Sequence, residues 1–221
     1  MNVSSGTRIM SDLFASNEVE ILDHGQGLFQ IRNLVNTEAT MAAIHEVAKQ
    51  APFRHMMTPM GHHMKVATTN CGEYGWIAQP SGYGYSRNDP ESGQSWPAMP
   101  DTIRTISDDV IAHLNLPKYS PDACLINRYD IGTSMGRHQD KDEANFDYPI
   151  ISVSLGLPAI FQVVGPKRQG KATYYSVSDG DVFILSGQAR LYYHGVNTVK
   201  ANPNQPELQQ RYNLTLRRSQ P

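Results

Sequence analysis

Apolar positions recur with two different periods along this chain, and the character changes after Pro121. Between Thr37 and Gln50, Met41, Ile44 and Ala48 return at helical spacing. Asn36 stands where an N-cap belongs and Pro52 marks the stop. Ile103, Ile106, Val110 and Leu114 repeat that spacing, so a second helix is expected, capped by Asp101 and ended by Pro117. Ahead of the first helix, Glu20 to Val35 reads as two short strands about the turn His24-Gly25-Gln26-Gly27. Phe53 to Thr69 reads as a hairpin folded about Thr58-Pro59-Met60-Gly61. Cys71 to Trp96 is rich in glycine and aromatic residues and reads as loop with short strands.

After Pro121 short strand-like runs follow one another: Ala123–Tyr129, Pro149–Leu155, Ala159–Val164, Ala172–Val177, Asp181–Leu185 and Arg211–Arg217. The breaks between them are Gly, Pro, Asn and Asp. Strands so spaced argue an antiparallel sandwich or barrel, and the jelly roll is the commonest such scaffold for a metal site. The expected fold is mainly β with flanking helices (α+β). A jelly-roll core over residues 118–221 forms one structural unit with an N-terminal α/β extension over 18–117, behind a polar, loosely held tail over 1–17.

Composition narrows the partners. With 221 residues, burying a sizeable core is not in question, and a net charge of −2 provides no global basic field toward nucleic acid, so any polyanion contact must be local. The two cysteines, Cys71 and Cys124, have no metal-binding spacing and no disulfide framework is expected. No apolar leader or membrane-length run is visible. The expected setting is the cytoplasm, with no membrane partner.

The candidate chemistry starts at His138-Gln-Asp140. Separated by one residue on extended backbone, an imidazole and a carboxylate leave the same face, and His194 follows Asp140 after 53 intervening residues. Two histidines and a carboxylate form the facial triad of non-haem Fe(II) oxygenases. Alone the pair is weak, because eight histidines and thirteen aspartates produce such pairs by chance. The last strand adds weight: Arg211, Asn213, Thr215 and Arg217 share one face, opposite Tyr212, Leu214 and Leu216. That face is either turned to solvent or turned into a barrel, where two arginines are tolerable only if anions meet them. Their strand separation is roughly 20 Å. Each reaches about 6 Å, leaving a gap of about 8 Å that suits a small dicarboxylate held by arginine forks. A triad beside such a gap points to 2-oxoglutarate as co-substrate. Asn127 and Tyr129, two apart, either donate to the same carboxylates or are satisfied within the wall. Tyr74, Trp76, Tyr83 and Tyr85, interleaved with Lys65 and Arg87, are either packing aromatics or a stacking platform for bases. Lys167, Arg168 and Lys171 form a local cationic loop, and Lys141, Asp142 and Glu143 are expected to rim the same cavity.

Together Asn127-Arg-Tyr129, His138-Gln-Asp140-Lys-Asp142, Tyr193-His194-Gly195 and Arg211-Tyr-Asn-Leu-Thr-Leu-Arg217 resemble the bacterial AlkB oxidative nucleic-acid dealkylases. Pro121 to Asn127 and Ile151 to Phe161 extend the resemblance over most of the chain. It implies a double-stranded β-helix (jelly-roll) dioxygenase using Fe(II), 2-oxoglutarate and O2. His138, Asp140 and His194 would ligate iron. Arg211 and Arg217 would hold 2-oxoglutarate, helped by Asn127, Tyr129 and Asn213. Trp76 and His138 would sandwich a flipped base, Asp142 would contact its amino group, Tyr83 a phosphate and Arg168 the substrate region. The Thr58–His63 turn corresponds to the family's nucleotide-recognition lid. The implied reaction is repair: demethylation of 1-methyladenine and 3-methylcytosine in single-stranded DNA, with double-stranded DNA or RNA as further substrates, releasing formaldehyde, succinate and CO2. A monomer is expected. The chain departs from the family at Thr133–Arg137 and at Met60-Gly-His-His63. An Fe(II)/2-oxoglutarate hydroxylase of a protein or small molecule, and a non-catalytic jelly roll, are the competing readings.

Overall fold

The computed structural model describes residues 18–221, so the tail expected over residues 1–17 lies outside the described residues. In chain order the elements are β1 (Glu20–Asp23), β2 (Leu28–Arg32), α1 (Thr37–Gln50), β3 (Ala67–Gly72), β4 (Gly75–Gln79), β5 (Gly82–Ser86), α2 (Asp101–Leu114), β6 (Ala123–Asp130), β7 (Met135–His138), β8 (Ile150–Gly156), β9 (Ala159–Gly165), β10 (Thr173–Val177), β11 (Val182–Leu185), a 3-10 turn (Gly187–Leu191), β12 (Tyr193–Val196) and β13 (Gln210–Arg217). They form a seven-stranded sheet ordered β1-β2-β11-β8-β13-β6-β3, a four-stranded sheet ordered β10-β9-β12-β7, and the separate β4–β5 hairpin. Every pairing is antiparallel. The expected jelly roll is present, and the strands of the N-terminal part extend its larger sheet at both edges.

Strand alternation sorts the side chains of this sheet into two environments. On one face Cys71, Cys124, Ile126, Ile151, Val153, Leu214 and Leu216 meet Ile44 and Val47 of α1 and Ile103, Ile106 and Val110 of α2. The two helices therefore cover the outside of the large sheet. On the other face Tyr129, Ile150, Phe183 and Leu185 meet Phe161, Val163 and Val196 from the small sheet. The Phe161 and Phe183 rings lie 4.7 Å apart between the layers. Toward one end this second layer gives way to polar side chains, and the cavity described below opens there.

Local chemistry explains most element ends. Asn36 Oδ1 accepts from Ala39 N at 3.1 Å, capping α1 as its position predicts. For α2 the expectation is corrected. Pro100 occupies the cap position without a side-chain bond, and Asp101 is the first helical residue, paired with Arg104 one turn on. Asp101 is thus a first-turn acid that complements the helix dipole. Asn115, in the left-handed conformation, closes the helix. The Phe53–Thr69 hairpin is also corrected. Its turn is real, with Gly61 N donating to Thr58 O at 2.9 Å. Its arms meet through Thr58 N to His62 O and Met64 N to Met56 O, both 2.8 Å, and at the isolated bridges Met57–His63 and Arg54–Thr68, but no continuous ladder forms. Arg54 turns aside to the Asp89 carboxylate, and Ala67–Gly72 joins the main sheet beside β6. Among the described residues no helix is long and apolar enough to cross a membrane.

Ile151 is fully buried between the sheet and both helices, whereas Ile21 is 42% exposed on the edge strand. Ile151→Ala is expected to cost about 2–5 kcal/mol by urea unfolding, and Ile21→Ala under about 1 kcal/mol. Equal losses would show that the helix layer does not stabilise the sheet.

Candidate metal and co-substrate site

The small sheet places the two histidines. His138 ends β7 and His194 lies on β12, and the two face each other directly across the antiparallel pair. Their rings are 4.5 Å apart. Each Nδ1 donates to the carbonyl two residues upstream, Gly136 O for His138 and Tyr192 O for His194, both at 2.9 Å. That fixes both tautomers with Nε2 unprotonated and aimed inward. Asp140 follows β7, with its carboxylate oxygens 3.8 Å from His138 Nε2 and 3.7 Å from His194 Nε2. These separations are too long for hydrogen bonds and suit donors arranged around one ion. Gly195 is required here, because a Cβ would come within 2.7 Å of Met135 O on the neighbouring strand.

The large sheet supplies the facing wall. Arg211 pairs with Tyr129 and Asn213 with Asn127 in the β13–β6 register, so alternation aims all four to the same side. Arg211 is 1% exposed and Arg217 is 4% exposed. The polar face of the last strand is therefore interior. Arg211 gives Nη2 to Ser154 Oγ at 2.9 Å, while its Nε and Nη1 are buried without a partner, as is Asn127 Oδ1. Burial lowers the pKa of Arg211, which has no carboxylate bonded to it. Two orphaned donors on a buried guanidinium fit an incoming carboxylate.

Arg217 differs. Its Nη2 donates to Asp140 Oδ1 at 2.9 Å and its Nη1 to Tyr85 Oη at 3.0 Å. Burial alone would raise the Asp140 pKa, but Arg217, then His194 and His138, hold the carboxyl well below its usual range. Burial likewise opposes the charge on Arg217, and Asp140, Tyr85 and Glu143 reverse this and raise its pKa. Burial pushes the Tyr85 hydroxyl far up, so it remains protonated. For His194, burial and the neighbouring His138 lower the pKa to about 4, keeping the ring neutral and able to ligate.

The twelve residues to which the family resemblance assigns a role line one cavity of about 510 Å³: Trp76, Tyr83, Asn127, Tyr129, His138, Asp140, Asp142, Arg168, His194, Arg211, Asn213 and Arg217. Trp76 and Tyr83 stack at 5.3 Å at its mouth, and Trp76 Nε1 donates to Asp142 Oδ2 at 2.8 Å. A Cβ at Gly75 would run into the Trp96 ring, which supports the hairpin from behind. One expectation is corrected, and for two of the aromatic residues the packing alternative is the one observed. Glu143 does not rim the cavity; it is buried, and its Oε2 accepts from Arg190 Nη2 at 3.0 Å. Tyr74 takes the Arg87 guanidinium over its ring at 4.6 Å instead of joining the platform. Tyr85 points inward to Glu143 and Arg217 instead of stacking with the other aromatics. Sequence reasoning missed Arg190 and Ser154, and nothing in their local spacing marks them. In the divergent Thr133–Arg137 segment, Arg137 donates to Gln162 Oε1 (3.2 Å) and to the Arg168 and Gly170 carbonyls (3.3 and 3.4 Å), bracing the loop that carries Arg168.

The model of the 2OG-Fe(II) oxygenase superfamily matches residues 27–217. The alpha-ketoglutarate-dependent dioxygenase AlkB of Escherichia coli strain K12 is 43% identical over 95% of this chain and 98% of its own length. The chain belongs to the AlkB branch of the 2OG-Fe(II) oxygenase superfamily. The AlkB homolog of Caulobacter vibrioides strain CB15 is 40% identical over 82% of this chain and 81% of its length. The solved structure of OsALKBH1 superposes with a TM-score of 0.77 at 26% identity, covering 90% of this chain and all of that one. As a 2OG-Fe(II) oxygenase this chain is an enzyme that uses Fe(II), 2-oxoglutarate and O2. Among the described residues, His138, Asp140 and His194 are the one cluster of three potential ligands that converge within 4.8 Å.

Two outcomes are expected of this site. Arg211→Met removes a buried cation with unmatched donors, so it is expected to leave the ligand-free protein equally or more stable, by up to about 4 kcal/mol, while abolishing 2-oxoglutarate binding in calorimetry. Retained binding would show that Arg211 does not meet the co-substrate. For His194 the folded pKa of about 4 lies below the ordinary 6.5. Its neutral form therefore contributes stability that is complete above pH 6.5 and is lost as pH falls toward 4. Metal-free wild type is expected to lose about 3 kcal/mol over that window relative to His194→Gln, in unfolding titrations at each pH. Parallel pH profiles would contradict the buried neutral imidazole.

Proposed function

We propose that this enzyme removes alkyl groups oxidatively from the bases of nucleic acid, acting on N-methylated adenine and cytosine in single-stranded DNA and also in double-stranded DNA or RNA. The carrying observation is that one cavity holds the His-Asp-His cluster and the buried arginines at its floor, with the Trp76–Tyr83 aromatic pair at its mouth. Relatives support it: those of Escherichia coli and Caulobacter are AlkB dioxygenases, and human ALKBH1 is a nucleic acid dioxygenase. A hydroxylase acting on amino acids or small molecules has no need of that aromatic pair.

In this reading His138, Asp140 and His194 hold Fe(II). Arg211 and Arg217 take the carboxylates of 2-oxoglutarate, with Asn127, Tyr129 and Asn213 completing the cradle. Fe(II), 2-oxoglutarate and O2 together supply oxidation of the N-methyl carbon, with formaldehyde, succinate and CO2 as products. The chain provides position and exclusion of water. A base must leave its stack to reach this depth, which favours single-stranded or weakly paired substrates. Trp76 stacks on the extruded base, opposite the His138 ring. A base made cationic by alkylation gains cation–π attraction that the repaired base lacks. Asp142 accepts from the exocyclic amino group once the base displaces its bond to Trp76, Tyr83 contacts a phosphate, and Arg168 borders the strand. Net charge is −2, so phosphate attraction rests on local cations such as Lys141 and Arg168 at the mouth. One strand and one small co-substrate need no second subunit, so the enzyme acts as a monomer, in the cytoplasm.

With Fe(II), ascorbate and 2-oxoglutarate, oligonucleotides bearing 1-methyladenine or 3-methylcytosine are expected to release formaldehyde and succinate in equal amounts. Trp76→Ala is expected to raise KM for the oligonucleotide about tenfold, from stacking worth about 1–3 kcal/mol per base, and to keep the uncoupled turnover of 2-oxoglutarate. No formaldehyde from wild type, or full activity in Trp76→Ala, would refute the assignment.

A further inference from the structure

Tyr85 lies opposite Trp76 in the β4–β5 register, with Tyr83 as the diagonal neighbour, so the three rings leave one face of the hairpin. Trp76 and Tyr83 occupy the cavity mouth. Tyr85 reaches past them. Its hydroxyl donates to Glu143 Oε1 at 2.6 Å and accepts from Arg217 Nη1 at 3.0 Å. The side chains of Glu143 and Arg217 are only 1% and 5% exposed.

Beyond these two groups the network is closed. Arg190 Nη2 donates to Glu143, its Nη1 to Asp140 O at 2.6 Å and its Nε to Tyr148 O at 2.8 Å. Arg217 Nη2 donates to the Asp140 carboxylate. One hydroxyl thus connects the hairpin to the buried guanidinium and, through it, to Asp140. The base of the hairpin has its own anchors: Asn70 bonds both Trp76 N and Trp76 O at 3.0 Å, and Trp96 Nε1 donates to Ser86 O. The Tyr85 hydroxyl is therefore not needed to fold the hairpin, and its two bonds instead orient a side chain inside the co-substrate pocket.

We infer that Tyr85 is a positioning residue that couples nucleic-acid binding on the β4–β5 hairpin to 2-oxoglutarate binding at Arg217. This rests on the dealkylase reading above. A base stacked on Trp76 fixes the hairpin, which fixes the Tyr85 hydroxyl and so one side of the Arg217 fork. The other side is fixed by Asp140. By linkage, 2-oxoglutarate held on that fork favours the hairpin position that takes the base. Phenylalanine at 85 keeps the ring and removes both bonds, leaving Arg217 held from one side.

The test uses the full-length Fe(II) protein without O2. Calorimetry measures 2-oxoglutarate affinity with and without a single-stranded oligonucleotide carrying 1-methyladenine, for wild type and Tyr85→Phe. Wild type is expected to bind 2-oxoglutarate at least about fivefold more tightly when the oligonucleotide is present, and Tyr85→Phe is expected to bring that ratio within about twofold of unity. A merely structural role would shift the unfolding temperature and leave the ratio unchanged. A wild-type ratio near unity, or an undiminished ratio in Tyr85→Phe, overturns the inference. Formaldehyde release by wild type is measured in parallel. If wild type demethylates while either of those ratios is found, the coupling alone falls; if it neither binds nor demethylates the oligonucleotide, the dealkylase reading falls and the coupling with it.

Discussion

A carboxylate kept ionised inside a protein needs cations around it, and Asp140 has a permanent one in Arg217 at 2.9 Å. Much of the site depends on that pair. Desolvating both groups costs several kcal/mol per ion, which their attraction offsets only with good geometry and further hydrogen bonds. Arg217 Nη1 donates one such bond to Tyr85 Oη, and behind the pair Arg190 donates to the Asp140 main-chain carbonyl and to Glu143, whose Oε1 stands 3.5 Å from Arg217 Nε. The arrangement spends stability to hold a charge where two neutral imidazoles converge. Without the arginine, burial would push the Asp140 proton affinity up and the oxygen would be a poor ligand.

The two buried arginines sit on the same strand in different states. Arg217 has both terminal nitrogens matched by Asp140 and Tyr85 and only Nε without a bond, 3.5 Å from Glu143, while Arg211 has two donors unmatched. A pocket with one pre-satisfied and one hungry guanidinium has polarity. An anion entering the cavity would meet free donors at Arg211, where nothing must be displaced, whereas Arg217 is already bonded to Asp140 and Tyr85. The apolar layer behind β13 makes this possible, because Leu214 and Leu216 pack with the helices on one face and alternation turns both arginines to the other.

The long, strongly patterned segments were legible in the sequence. Both helices and the main jelly-roll strands fall close to where periodicity puts them, because apolar burial sets that periodicity. The polar face of the last strand was not decidable from the residues alone. Arg, Asn, Thr and Arg alternate identically whether they meet water or a cavity, and only the facing small sheet, with Phe161, His138 and His194, encloses them. β7 and β12, which carry the histidines, were unreadable as strands: four residues each, with glycine inside, give alternation no length to show itself. Arg190 was invisible because its meaning lies in partners 42 to 50 residues away. Tyr85 was seen but left open between packing and platform, since an aromatic run does not say which ring carries its hydroxyl inward.

The histidine tautomers show how little sequence a site of this kind requires. Each Nδ1 is satisfied by a backbone carbonyl two residues upstream, so the proton's position is set by strand geometry and not by a dedicated side chain. Direct opposition of His138 and His194 across β7 and β12 then brings the two Nε2 atoms to one point. What the chain must specify is close approach of these strands, and Gly195 does so by leaving no Cβ to meet Met135 O. The segment Thr133–Arg137 can therefore diverge without altering the histidine geometry: Met135 and Gly136 lie against Gly195 and His138 through their carbonyls, and Arg137 lines the cavity and braces the Arg168 loop. Divergence there changes how the rim is held, and leaves the floor as the two sheets define it.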